Sequence, residues 1–167
     1  MTDCNRLTVI KALITIFCIF NNISVIALQE DSRQPVYIYS DRAQRDDKKN
    51  ITVYESNVEL TQGRLKILAD KIIVYDKDKS ISKIIATGQP AHYRQQPIDG
   101  KDYLIAKAHH IEFEFEKEHI LLRGNASVYR DGSTIKSEVI NYDIKSAVMN
   151  AASDGRVRVV IPPNVNK

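Results

Sequence analysis

Four times in 167 residues the chain repeats one short pattern: a small residue, usually an acid next, then aliphatic and aromatic positions closed by an acid. The clearest copy is Ala69-Asp70-Lys71-Ile72-Ile73-Val74-Tyr75-Asp76. The others are Ser40-Asp41-Arg42-Ala43-Gln44-Arg45-Asp46, Ala108-His109-His110-Ile111-Glu112-Phe113-Glu114 and Ser137-Glu138-Val139-Ile140-Asn141-Tyr142-Asp143. Their starts at 40, 69, 108 and 137 lie 29, 39 and 29 residues apart. Roughly ten residues after each closing acid stands Asn57, Gly88, Gly124 or Gly155, the spacing of one supersecondary unit used about four times.

Within and between these units the apolar side chains alternate at period two. Val36 and Ile38, Ile51 and Val53, Val58 and Leu60, Leu65 and Ile67, Ile111, Phe113 and Phe115, Ile120 and Leu122, and Val157, Val159 and Ile161 all follow it. Turn signals separate the runs, among them Thr61-Gln62-Gly63, Asp76-Lys77-Asp78-Lys79-Ser80 and Arg130-Asp131-Gly132-Ser133. About a dozen short strands in an all-β antiparallel sandwich or roll are expected, with no helix after the leader. The wider spacing between the second and third units falls on residues 94–102, which contain Pro97 and Asp99-Gly100 and read as a hairpin insertion exposed at the surface.

Residues 1–27 read differently. Arg6 and Lys11 precede a run at 12–20 that is apolar except for Thr15; Asn21-Asn22 break it, and Val25-Ile26-Ala27 suits cleavage before Leu28. That is the layout of a secretory signal peptide, with a short lead-in at 28–35 and the folded domain at 36–161, followed by a tail at 162–167. The rival reading is a retained membrane anchor over residues 9–28, which is long enough to span a bilayer. Cys4 and Cys18 both lie in the leader, so the exported chain would contain no thiol, and Phe17 before Cys18 argues against lipid attachment there. The net charge of +3 is small and its lysines and arginines are interleaved with acids, which argues against nucleic acid as a partner.

Taken in order, Gln34-Pro35-Val36-Tyr37-Ile38-Tyr39-Ser40-Asp41, residues 63–76, Ala86-Thr87-Gly88 and Leu122-Arg123-Gly124-Asn125-Ala126 resemble the LptA family of periplasmic lipopolysaccharide export proteins, also described as OstA-like. The resemblance covers nearly all of 36–161. It implies a twisted antiparallel β-jellyroll, open along one side, whose apolar interior cradles lipopolysaccharide acyl chains in the periplasm. It also implies end-to-end stacking with further copies and docking onto related jellyrolls at the inner and outer membranes. It carries a lipid-lining role onto Val36, Ile38, Tyr93, Phe113 and Phe115, which periodicity alone would make core residues.

The first and last strands, Val36, Tyr37, Ile38 and Tyr39 at one end and Val157, Val159 and Ile161 at the other, are β-prone and free of internal proline. Such edges could take up a strand from a neighbour. Catalytic chemistry has no coherent constellation. Glu112, Glu114 and Glu116 alternate with Phe113 and Phe115 and so belong to the solvated face of their strand. His109 and His110 are adjacent and point to opposite faces, so neither a metal nor a cofactor is expected. Two other readings stay open: a membrane-anchored jellyroll of the same transport system, and a secreted carbohydrate-active β-repeat protein. The absence of tryptophan counts against the latter.

Overall fold

A computed structural model describes residues 34–96 and 103–163. The leader, most of the lead-in, the tip of the 94–102 insertion and the last four residues therefore lie outside the described residues. Ten strands make up the described chain: β1 (Val36–Tyr39), β2 (Arg42–Asp46), β3 (Ile51–Gln62), β4 (Leu65–Lys77), β5 (Ser80–Gln95), β6 (Leu104–Glu114), β7 (His119–Arg130), β8 (Ser133–Asp143), β9 (Val148–Ala152) and β10 (Arg158–Val160). They form one sheet in the order β1-β3-β4-β5-β6-β7-β8-β10, with β2 also on β3 and β9 also on β8, and every pairing is antiparallel. Ala43-Gln44 and Asn150-Ala151 show how polar or small such outer strands are allowed to be.

The dozen short strands expected from the turn signals are replaced by fewer and longer ones. β3 to β8 each run for 11 to 16 residues. The reason is that Asn57, Gly88 and Gly124, which recur after the closing acids, stand at bulges within continuous strands. Register shifts fall between Glu55 and Val58, Leu68 and Lys71, Thr87 and Ala91, Lys107 and His110, and Arg123 and Ala126, forming one line across the sheet. In β3 and β7 the bulge is a pair of left-handed residues, Ser56-Asn57 and Gly124-Asn125, and asparagine tolerates that conformation better than most side chains. In β5 it is Gly88, where a Cβ would stand 3.0 Å from the Ala91 backbone nitrogen, followed by a cis Gln89-Pro90 bond. Proline is tolerated in this central strand because a bulge frees its position from the ladder. Gly155 departs from the set: it lies in the bend after β9, its N–H donating to Ser153 Oγ at 3.2 Å.

The bulges also reset side-chain parity. In β4 the inward residues are Leu65 and Ile67 before the bulge and Ile72 and Val74 after it, so one face stays apolar through an odd step. In β3 the two-residue bulge keeps parity even, which turns Thr52 and Tyr54 inward and leaves Ile51 and Val53 on the outer face.

The line of bulges divides the sheet into a half bordered by β1 and β10 and a half bordered by β2 and β9. Both halves turn their apolar sides to one interior containing Leu60, Ile67, Ile72, Ile84, Ile111, Ile120, Leu122 and Ile140, each at most 1% exposed. Full burial of one such aliphatic side chain contributes about 2 kcal/mol.

The closing acids of the repeats collect where strands turn back. Asp46 Oδ1 accepts the Lys48 and Lys49 N–H groups at 3.0 and 3.1 Å, and Asp143 Oδ1 accepts the Ser146 N–H and hydroxyl, both at 2.7 Å. Asp76 pairs with Arg45 at 2.7 Å and Glu114 with Lys117 at 2.6 Å. These acids therefore fix turns and the rim, which is why they recur.

Candidate functional site

The inward side chains line up across the sheet in rungs. One rung runs through all eight strands of the main path: Ile38 opposite Leu60, then Ile67, Tyr93, Ala106, Val128, Ile135 and Val159, each directly paired with the next. A second crosses the other half through Val74, Ile84, Phe113, Ile120, Tyr142 and Met149. A continuous apolar band reaching from one edge of the described sheet to the other is the shape needed to hold a long hydrocarbon chain.

All five residues assigned a lining role face this interior. Tyr93 is fully buried in the second half of β5, and Phe113 is buried near the end of β6. Phe115 follows in the turn, half-buried, its N–H donating to the Ser82 carbonyl at 3.0 Å. The three aromatics touch in series, Tyr93 edge-on to Phe113 at 6.1 Å and Phe113 tilted against Phe115 at 4.5 Å. Val36 and Ile38 are half-buried on β1 and packed against the same core. They sit three strands from β5, roughly 14 Å at the usual strand spacing, so the structure gathers the aromatics and leaves these two at the edge.

Among the described residues no charged side chain is buried in this interior. Its polar groups are satisfied at the margins: Tyr93 donates its hydroxyl to Gln95 Oε1 at 2.7 Å, Arg130 Nη1 donates to the Tyr142 hydroxyl at 2.6 Å, and Gln62 Nε2 donates to the Gln34 carbonyl at 3.1 Å. Burial pushes the Tyr93 phenol well above its ordinary value, so it stays neutral and donates. Glu112 and Glu114 face outward, as alternation requires, beside Lys83 at 3.4 Å and Lys117 at 2.6 Å. Glu116 lies in the turn against Lys77 at 3.1 Å. His109 leans over Gly124, and His110 Nε2 stands 3.7 Å from Glu112. Among the described residues no three His, Cys, Asp or Glu side chains gather to hold a metal.

The edge strands differ in part from expectation. β1 spans Val36–Tyr39 as anticipated, with Tyr37 and Tyr39 more than half exposed. β10 is only Arg158–Val160, so Val157 and Ile161 fall outside the ladder and Val159 alone of the three pairs, opposite Ile135. The strand is cut short by the bend at Asp154-Gly155 before it and by Pro162-Pro163 after it; Pro162 packs where a Cβ on Gly132 would lie, at 3.0 Å. Most of the lining was not singled out from the sequence, including Leu60, Ile67, Ile84 and Tyr142. Their signal was the same alternation, visible at Leu60 and Ile67 but interrupted by the parity resets elsewhere.

The family model described as "LptA/(LptD N-terminal domain) LPS transport protein" matches residues 37–148. The chain belongs to this family. Its relatives include the lipopolysaccharide export system protein LptH of Pseudomonas aeruginosa, 31% identical over 138 residues that cover 82% of this chain and 79% of that protein. Another is the lipopolysaccharide export system protein LptA of Escherichia coli K12, 34% identical over 147 residues, 86% of this chain and 79% of that protein. The crystal structure of Pseudomonas aeruginosa LptH, the LptA-homologous periplasmic component of that transport device, superposes with a TM-score of 0.74 at 28% identity. It covers 80% of this chain and 99% of that one, so the LptA-type jellyroll expected from the resemblance is the fold found here.

Proposed function

We propose that this protein is a non-enzymatic periplasmic carrier that moves lipopolysaccharide between the inner and outer membranes with the acyl chains held in its apolar interior. The observation that carries this reading is the uninterrupted apolar rung from Ile38 to Val159, in a sheet whose two ends are both edges. A carrier of this kind needs an apolar concavity with polar groups at its rim and no bond-making side chains. Val36, Ile38, Tyr93, Phe113 and Phe115 are the side chains we assign to the acyl chains. The halves of the sheet would part along the bulge line as lipid replaces the aromatic contacts between them.

Partners follow from the edges. β1 and β10 would each accept a strand from another copy, or from the related jellyrolls at either membrane, with main-chain hydrogen bonds supplying the affinity. The leader over residues 1–27 would be cleaved before Leu28, and a mature mass beginning there separates the carrier from an anchored relative. Depleting the protein from its own cells tests the function as a whole. Newly made lipopolysaccharide should accumulate at the inner membrane, and unimpaired delivery to the cell surface would contradict the proposal.

A further inference from the structure

At the C-terminal edge, β9 and β10 both pair with β8 but leave a gap between them. β9 covers Val139–Asp143 and β10 covers Thr134–Lys136, so Ser137 and Glu138 face a notch where the chain swings out. The Ser137 hydroxyl donates to the Ala152 carbonyl at 2.6 Å and holds the end of β9 at this point. The notch is a cleft of about 430 Å³, lined by Lys136 and Arg158 of the outer row and by Arg156 of the segment before β10. Its floor includes Ala126 and Ser137, buried at 1% and 9% exposure, and Ala126 belongs to the apolar core.

The charges are arranged against the interest of the fold. Arg158 stands directly opposite Lys136 in the ladder, and the same outer row continues through Ser127 to Lys107. Like charges directly opposite one another destabilise a sheet. Glu138 is the one acid lining the cleft, against three cations, and among the described residues Lys136, Arg156 and Arg158 form no ion pair. On the outer face of β3 and β4, by contrast, Lys71 is paired with Glu55 and Lys66 with Glu59.

We propose that this notch binds a phosphate group, and that it holds the phosphorylated headgroup of the amphiphile whose acyl chains occupy the interior. Two guanidinium groups and an ammonium suit a phosphate's oxygens, arginine through its forked donors. Cations around the cleft and the core residue Ala126 at its wall would receive the charged and uncharged parts of one molecule together. The inference rests on the carrier function proposed above.

The test compares wild-type protein with the Arg156→Gln/Arg158→Gln variant, each titrated with purified lipopolysaccharide, with the same lipopolysaccharide after phosphatase treatment, and with inorganic phosphate. Both arginines are exposed and Arg158 opposes Lys136, so the variant should unfold no lower than the wild type. Wild type should bind the untreated lipid about tenfold more tightly than the variant does, the loss of a charge-assisted contact. The treated lipid should bind both proteins alike. Equal binding of untreated lipid by the two proteins, with no difference in their binding of inorganic phosphate, overturns the notch and leaves the carrier function standing. No binding of that lipid by wild type overturns the carrier function itself. If inorganic phosphate binds wild type but not the variant while lipid affinity is unchanged, the site serves free phosphate and the headgroup assignment is overturned.

Discussion

The rings of Tyr93 and Phe113 meet edge to face with centroids 6.1 Å apart, although they belong to opposite halves of the sheet. Tyr93 is opposite Ala106 on β6, and Phe113 lies seven residues further along that strand. Extended at the usual rise, seven residues would cover roughly 23 Å. The contact is therefore made by folding the sheet over its line of bulges, and it measures how closely the two halves approach. Replacing Phe113 by alanine should cost about 3 kcal/mol in urea denaturation. The same change at half-buried Phe115 should cost about 1 kcal/mol.

Gly124 carries the bulge of β7 at a φ of +79°, and a Cβ there would lie 3.0 Å from the His109 side chain. Gly124→Ala should destabilise by about 1 to 2 kcal/mol, from the backbone conformation and the collision together. Combining it with His109→Ala should recover the part due to collision, so a double-mutant cycle read by thermal unfolding separates the two.

The rim acids set the response to pH. Hydrogen bonds from the Lys49 N–H to Asp46, from the Ser146 hydroxyl to Asp143, from Lys117 to Glu114 and from Lys71 to Glu55 hold these carboxylates below their ordinary values. A depressed folded-state pKa stabilises above the unfolded value and loses that contribution as pH falls through the folded one. Stability should therefore be level from neutrality down to about pH 5 and decline below about pH 4. Because the groups are exposed, the decline should be shallow and salt should reduce it. Melting temperatures across this range at two ionic strengths check both statements.

Stacking should depend on the free edges. Val159 is the middle residue of the three-residue β10, and proline there removes a backbone donor. Sedimentation equilibrium should show the average mass of the wild type rising with concentration, and Val159→Pro should lower the mass reached at any one concentration. A wild type that remains monomeric at high concentration would refute strand addition as the mode of association.

Period two made the fold class legible because each strand has one dry face, and the Asp131-Gly132 turn could be read directly from residues that favour positive φ. Bulges were harder to see. Asn57, Gly88 and Gly124 stand out in the sequence, but a small residue ends a strand as readily as it bends one, and only the pairing register decides. The weakest elements lay beyond local pattern: Arg42–Asp46 is mostly polar and exposed and is a strand because β3 offers it an edge. Tyr93, Phe113 and Phe115 were found through resemblance and shown by the fold to touch. The notch at Lys136 and Arg158 could not be read from sequence, since it joins residues some twenty positions apart.

In the carrier proposed above, lipid occupies the space between the two halves. Phe115 points into it, while the neighbouring Glu114 is turned outward to Lys117. A photo-crosslinking side chain placed at each position in living cells reads the difference directly. Capture of lipopolysaccharide at 115 and not at 114 is the predicted result; equal capture at both positions, or none at 115, would contradict it.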